Sequence, residues 1–236
     1  MHAAAFIAGI FCCVGVALDA FQTIILPRRP SGQLQITRLF FVSTWKPWIA
    51  VTSRIRNAKA REQLYSVYGP LSLILLLLLW ALLLILGFAL FFFSMGSPFA
   101  DSILGPGASV WSRFGSDLYV SGTTLGTLGL GDVLPRSPLA RMLVISEAGV
   151  GLGLVGLVIG YLPVLYQAFS RREVSVALLD ARAGSPPTAA ELLRRHSFEG
   201  GEAALEALLV EWDSWSADIL EAPLSYPMLC YFRSQH

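Results

Sequence analysis

Between positions 67 and 95 the chain carries no charged residue, and Leu73-Ile74-Leu75-Leu76-Leu77-Leu78-Leu79 follow one another without a break. A hydrocarbon core about 30 Å thick is crossed by about 20 apolar residues in a helix, so this run is long enough to span a membrane. Two further runs share its character. One covers 3–26 and is interrupted only by Asp19; the other covers 142–170, rich in Gly, Val and Leu, with Glu147 as its single charge. Charged residues make up 14% of the 236 residues, against about 25% in soluble domains. Because that deficit sits in three runs, it implies three transmembrane helices rather than one large soluble core. A signal peptide is the competing account of 3–26, but no Lys or Arg precedes the run and it is long for a signal peptide's apolar region. It is expected to be a retained helix.

Charge fixes the expected orientation. Arg28, Arg29, Arg38, Lys46, Arg54, Arg56, Lys59 and Arg61 crowd the first connection, with no acid before Glu62, whereas 96–138 holds only Arg113 and Arg136. Positive residues stay on the cytoplasmic side. The N-terminus is therefore expected outside and the C-terminus inside, in the plasma (cell inner) membrane; Arg171 and Arg172 after the third run agree. The spacing of Arg54, Arg56, Lys59 and Arg61 does not fit a voltage sensor and suits an anchor on anionic lipid. A net charge of +1 gives no reason to expect nucleic acid as a partner. Three cysteines and three scattered histidines suggest neither a disulfide framework nor a metal site. No cofactor is expected, and no enzymatic activity.

Four regions follow: an N-terminal helix (1–26), a basic linker (27–66), a central module (67–170) and a cytoplasmic tail (171–236). Within the linker, 36–51 is apolar and aromatic but broken by Arg38, Lys46 and Pro47, so it is expected to lie along the inner surface with Trp45 and Trp48 at headgroup level. The tail holds ten of the sixteen acidic residues. In it, 173–179 is compatible with a short strand, 185–188 with a turn, and Thr188 with a helix cap over 189–196. Leu205, Leu208, Leu209, Trp212 and Trp215 mark an amphipathic helix over 202–220. The apolar run 226–232 is expected either to dock on a partner or to lead into further chain. The tail is also where an unknown ligand or protein would act.

The connection between the second and third runs is unlike an ordinary loop. Residues 111–124 suit a helix, and Thr127-Leu128-Gly129-Leu130-Gly131-Asp132 follows, with Pro135 shortly after. Here the chain resembles the pore loop of the tetrameric potassium channels, whose pattern is a short helix, then T-x-G-[YF]-G-D, then proline. The resemblance covers about 70–169. It implies an all-α homotetramer in which each subunit contributes an outer helix, a re-entrant pore helix, a selectivity filter and an inner helix around a K⁺ path. Membrane lipid surrounds it, and K⁺ is the permeant ion. A cation stripped of water needs replacement oxygens, and successive backbone carbonyls supply them only with unusual dihedrals that glycine reaches at little cost. Thr127, Leu128, Gly129, Leu130 and Gly131 would then line the path, with Asp132 at the outer mouth drawing cations.

Three departures bear on selectivity: Leu130 replaces the aromatic, Leu128 replaces valine, and Gly126 stands where a threonine is common. They leave a nonselective cation channel as the alternative. Gly129-Leu130-Gly131-Asp132 also fits the G-x-G-D motif of intramembrane aspartyl proteases, which requires two aspartates on facing helices. Val133-Leu134-Pro135 after Asp132 argues against a continuing helix. A purely structural membrane subunit is a third reading.

Glu147 is expected at the depth of the pore helix, either bonded to its back through Ser121 or Thr123 as filter support, or as a protonated, satisfied core residue. Asp19 is expected to reach the interface or a basic residue of 28–61. Gly149, Gly151, Gly153, Gly156 and Gly160 permit close packing, and Gly156, Gly160 and Pro163 are candidates for a hinge or gate.

Overall fold

The structure, a computed structural model, describes residues 2–26, 35–101, 103–105, 107–198 and 200–233. Arg28 and Arg29 of the basic linker lie outside these residues. The chain is mainly helical: α1 (His2–Ala20) passes through a π turn (Phe21–Ile25), then α2 (Ile36–Thr52), α3 (Ala58–Ser94), β1 (Phe99–Asp101), α4 (Val110–Leu125), β2 (Val133–Pro135), α5 (Pro138–Ala183), α6 (Ala189–Arg195), α7 (Gly201–Ser225) and a 3₁₀ turn (Pro227–Tyr231). Three stretches among the described residues are long and apolar enough to cross a membrane: His2–Ile25, Ala58–Ser94 and Pro138–Ala183. The helix over Ile36–Thr52, with Pro47 inside it, is not one of them.

The described residues fall into two compact units, one of 2–25, 35–42 and 74–160, the other of 26, 43–73 and 161–233. In the first, α3 buries Leu76, Trp80, Leu84, Phe88 and Phe92, one residue in every four, so a single stripe faces the other helices. Against lipid there is no solvent-driven gain in burying leucine, so helices associate through close backbone approach and polar bonds. Both are present. A Cβ at Gly9 of α1 would stand 2.8 Å from the Gly87 carbonyl oxygen of α3, so only glycine permits this spacing.

The polar bond is made by Asp19. Its side chain is almost fully buried and accepts from the Thr37 backbone N–H (3.0 and 3.2 Å to its two oxygens), the Thr37 hydroxyl (2.6 Å) and the Trp80 indole N–H (2.9 Å). The first N–H groups of a helix lack intrahelical partners. Asp19 fills that need for α2 and fastens α1 to α3 in the same step. It therefore neither extends to the interface nor pairs with a described basic residue, because three donors already satisfy it.

A feature absent from the sequence reading is the antiparallel pair β1–β2, in register Phe99↔Pro135, Ala100↔Leu134 and Asp101↔Val133. Arg136 N–H donates to the Pro98 carbonyl at 2.8 Å and extends the pairing. The chain leaving 126–132 is thereby tied to the chain entering α4.

In the second unit the short strand expected at 173–179 is helix, because α5 continues to Ala183. Leu179 packs with Ala183, Leu192, Leu205, Leu208 and Trp212 in a small core, which rewards the helical spacing. Leu209 is exposed and takes no part. Thr188 caps α6 by accepting from Glu191 N–H, and Arg194 and Arg195 bind the Glu191 carboxylate, which holds it well below its usual range, at about 2. Residues 226–232 dock on their own chain: Met228 and Leu229 are buried, Arg172 donates to the Leu229 and Phe232 carbonyls, and Tyr231 packs on Trp45 and Tyr68.

Asp19→Ala strands three buried donors, each costing about 1–3 kcal/mol, whereas Trp80→Phe removes one bond and keeps most of the packing. Thermal unfolding in detergent should show a far larger drop for Asp19→Ala; equal drops would mean the carboxylate is not the fastening.

Candidate functional site

Helix α4 begins at an N-cap, Ser109, whose side chain accepts from Ser112 N–H. It buries Ser116, Asp117, Val120, Ser121 and Leu125 along one side and stops at Gly126. The turn out of the helix is held by its own last carbonyls. Thr127 N–H donates to Thr124 (2.9 Å), and Leu128 and Gly129 N–H both reach the Thr123 carbonyl (2.8 and 3.4 Å).

Beyond this turn the backbone takes an unusual course. Thr127, Gly129 and Gly131 have φ of +57°, +55° and +76°, while Leu128 and Leu130 between them do not share the left-handed region. An ordinary strand turns successive peptide planes to opposite sides. Alternating the sign of φ removes that flip, so carbonyls of consecutive residues can turn to one side. Glycine adopts positive φ freely, but threonine does so only under strain. A β-branched residue held in that region is a mark of a functional constraint.

All of 126–132 is exposed in the single chain, including Leu128 and Leu130. Asp132 ends the segment. Its Oδ2 accepts from the Tyr119 hydroxyl at 2.6 Å, and that bond to a carboxylate holds the Tyr119 hydroxyl above its ordinary range. Asp132 thus lies on non-helical chain, unlike the helix-borne aspartate of an intramembrane protease.

Behind α4, Ser121 and Glu147 are both completely buried. Ser121 Oγ lies within hydrogen-bond reach of Glu147 Oε1 on α5 and, at 2.9 Å, of the Ile85 carbonyl on α3. Thr123 Oγ1 instead donates to its own helix at the Val120 carbonyl. Midway along α4, Ser97 donates to Asp117 Oδ2 at 2.7 Å, and Ser116 to Asp101 Oδ2 at 2.7 Å. The middle and the C-terminal part of α4 are therefore anchored separately.

The inner-helix glycines are not equivalent. A Cβ at Gly151 would stand 2.2 Å from the Leu125 carbonyl oxygen, so α5 and the end of α4 touch backbone to side-chain-free backbone there. A Cβ added at Gly149, Gly153, Gly156 or Gly160 would meet no atom of another element within 4 Å in the single chain. Pro163 lies inside α5, among the residues of the second unit.

Of the sequence-based candidates, Thr127 to Asp132 form one continuous exposed segment, and Glu147 stands behind the helix that presents it. Tyr119 was not anticipated, and Gly151 was named only as one of five glycines permitting close packing. Tyr119 could have been suspected, since it precedes Thr123 by one helical turn on the same face. Gly151 could not be separated from its neighbouring glycines without knowing which face of α5 meets α4.

Residues 76–167 match the sequence model of a family described as ion channel. That stretch runs from α3 through α4 and 126–132 into α5, and it indicates an ion channel. No curated protein and no solved structure matches the chain.

Gly151→Ala should force α5 off the end of α4 at a cost of about 1–3 kcal/mol. Gly156→Ala should cost little, or even stabilise α5 through helix propensity. Thermal unfolding of the two variants in the same lipid–detergent mixture checks the contrast.

Proposed function

We propose that four copies of this chain form a potassium-conducting channel in the plasma (cell inner) membrane, with the N-terminus outside and the C-terminus in the cytoplasm. The observation that carries the proposal is the alternation of left-handed backbone at Thr127, Gly129 and Gly131 on an exposed segment between two membrane-length helices. Non-helical backbone at membrane depth survives only where protein buries it or water reaches it. One strand cannot surround an ion. Four strands meeting on a symmetry axis bury one another's flanks and leave a wet axial path lined by the carbonyls of 127–131.

In this assembly Thr127 contributes a ring of hydroxyls at the inner end of the path. The C-terminal end of α4, with its partial negative charge, favours a cation in the cavity below. Four Asp132 carboxylates raise the local cation concentration at the outer mouth. Glu147 supports α4 from behind. Gly156, Gly160 and Pro163 supply the hinge or gate of the inner helix, and the tail receives whatever ligand or protein regulates it. Protein partners are the other three copies, with membrane lipid outside.

Leu130 favours a second reading, a channel that passes monovalent cations with poor discrimination. A tyrosine here would offer a hydroxyl to neighbouring groups; leucine offers none. In this chain, however, Tyr119 supplies a hydroxyl from the helix to the segment's outer end at Asp132. K⁺ over Na⁺ selectivity depends on how firmly the carbonyls resist collapse onto the smaller ion. Tyr119 is therefore the brace that keeps the potassium reading ahead.

Reversal potentials of the reconstituted protein under bi-ionic K⁺/Na⁺ conditions test both readings. Gly129→Ala should abolish current, because its Cβ opposes the left-handed backbone. Tyr119→Phe should lower the K⁺/Na⁺ permeability ratio, and Leu130→Tyr should raise it. A wild type that selects poorly and is unmoved by Tyr119→Phe would establish the nonselective reading. Unchanged current in Gly129→Ala would place the path elsewhere.

A further inference from the structure

We infer that Glu147 is held as a neutral carboxylic acid and donates its proton to Ser121 Oγ, which passes its own to the Ile85 carbonyl, so that one proton-bearing chain ties α5, α4 and α3 together. The inference rests on counting hydrogens. A serine hydroxyl has one hydrogen to give and two lone pairs to receive with. Ser121 Oγ stands within reach of two oxygens, Glu147 Oε1 and the Ile85 carbonyl oxygen. A carbonyl only accepts, and an ionised carboxylate only accepts. With Glu147 ionised, one of the two contacts would set oxygen against oxygen with no hydrogen between them. With Glu147 protonated, both contacts become hydrogen bonds in one direction: Glu147 O–H to Ser121, and Ser121 O–H to Ile85.

The surroundings agree with that count. Glu147 is completely buried, and its second oxygen, Oε2, has no hydrogen-bond partner among the described residues. None of the ion pairs among the described residues involves it. The titratable side chain that faces it from α1 is the thiol of Cys13, which offers no compensating positive charge. A buried carboxylate without a counter-charge and with an empty oxygen is far more costly than a neutral acid whose carbonyl oxygen goes unpaired. Bonds in sequence also polarise and strengthen one another.

The proton has a positioning role. Ser121 lies about one turn before the end of α4, and the Thr123 carbonyl just beyond it anchors the N–H groups of Leu128 and Gly129. Fixing Ser121 between two membrane helices sets the depth of α4, and with it the height of 127–131. Glu147 is thus a positioning residue that never meets the ion. This functional arm rests on the proposed conduction path; the protonation itself does not.

The full chain reconstituted in lipid tests both arms. Infrared spectra at neutral pH should contain a neutral carboxylic-acid carbonyl band that disappears in Glu147→Gln. Glutamine keeps the shape, the neutrality and a donor for Ser121, so its K⁺ flux should stay within about twofold of wild type. Flux through Glu147→Ala should fall about tenfold, the scale of one buried polar group left unpaired. If no such band is lost in Glu147→Gln, the protonated state is overturned whatever the fluxes are. If the band is lost but Glu147→Gln conducts as poorly as Glu147→Ala, the positioning role is overturned. A wild type that passes no ion at all defeats the proposed function and leaves the infrared arm to decide the proton.

Discussion

Everything around α4 answers one constraint: a stretch of backbone that leaves a helix for an irregular course must have its polar groups placed by something other than regular helical or sheet bonds. The N–H groups at its start are absorbed by the carbonyls of Thr123 and Thr124. Its far end is fastened by Asp132 to Tyr119, and the chain beyond is paired through β2 to β1. Between these ties, Thr127, Gly129 and Gly131 are kept in left-handed backbone. The segment is held at both ends and exposed along its length.

Holding such a segment requires rigid helices in a medium that gives little reward for burying leucine. The chain meets this with buried polar junctions set against places where only glycine fits. Asp19 joins α1, α2 and α3 through Thr37 and Trp80, and Gly9 lets α1 approach the Gly87 carbonyl. Ser121 joins α4 to both Glu147 and Ile85, and Gly151 lets α5 approach the Leu125 carbonyl. Each junction pairs direction-sensitive bonding with close contact, so the helices are fixed in rotation as well as in distance.

Much of this was legible in the sequence because the signals were long or chemically extreme. Apolar runs with at most one charge marked the membrane-length helices, and the helix-compatible segment before Thr127 is α4. The cap at Thr188 followed from local chemistry. What escaped depended on meetings between distant parts of the chain. Asp19 was assigned to the interface or to a basic residue of 28–61 because its partners, Thr37 and Trp80, lie 18 and 61 residues away. The stretch 173–179 carries β-compatible residues, yet continuing α5 lets Leu179 reach the core of the tail. Residues 226–232 were expected to dock on a partner or lead into further chain, and the surface they cover, including Tyr68 and Trp45, lies in distant parts of this same chain. Gly151 was hidden among its neighbours, since equal residues become unequal only when one of them meets a carbonyl.

The strained threonine has an implication for anyone selecting hardier versions of this chain. Thr127 occupies backbone that costs a β-branched residue about 1–3 kcal/mol and a glycine almost nothing. A search guided by melting temperature alone would therefore favour glycine at this position and count it an improvement. The hydroxyl would vanish with the strain. If Thr127 lines the proposed ion path, durability and conduction pull in opposite directions at this one residue, and libraries built for robustness should hold it constant and look for their gains in the exposed turns of the tail.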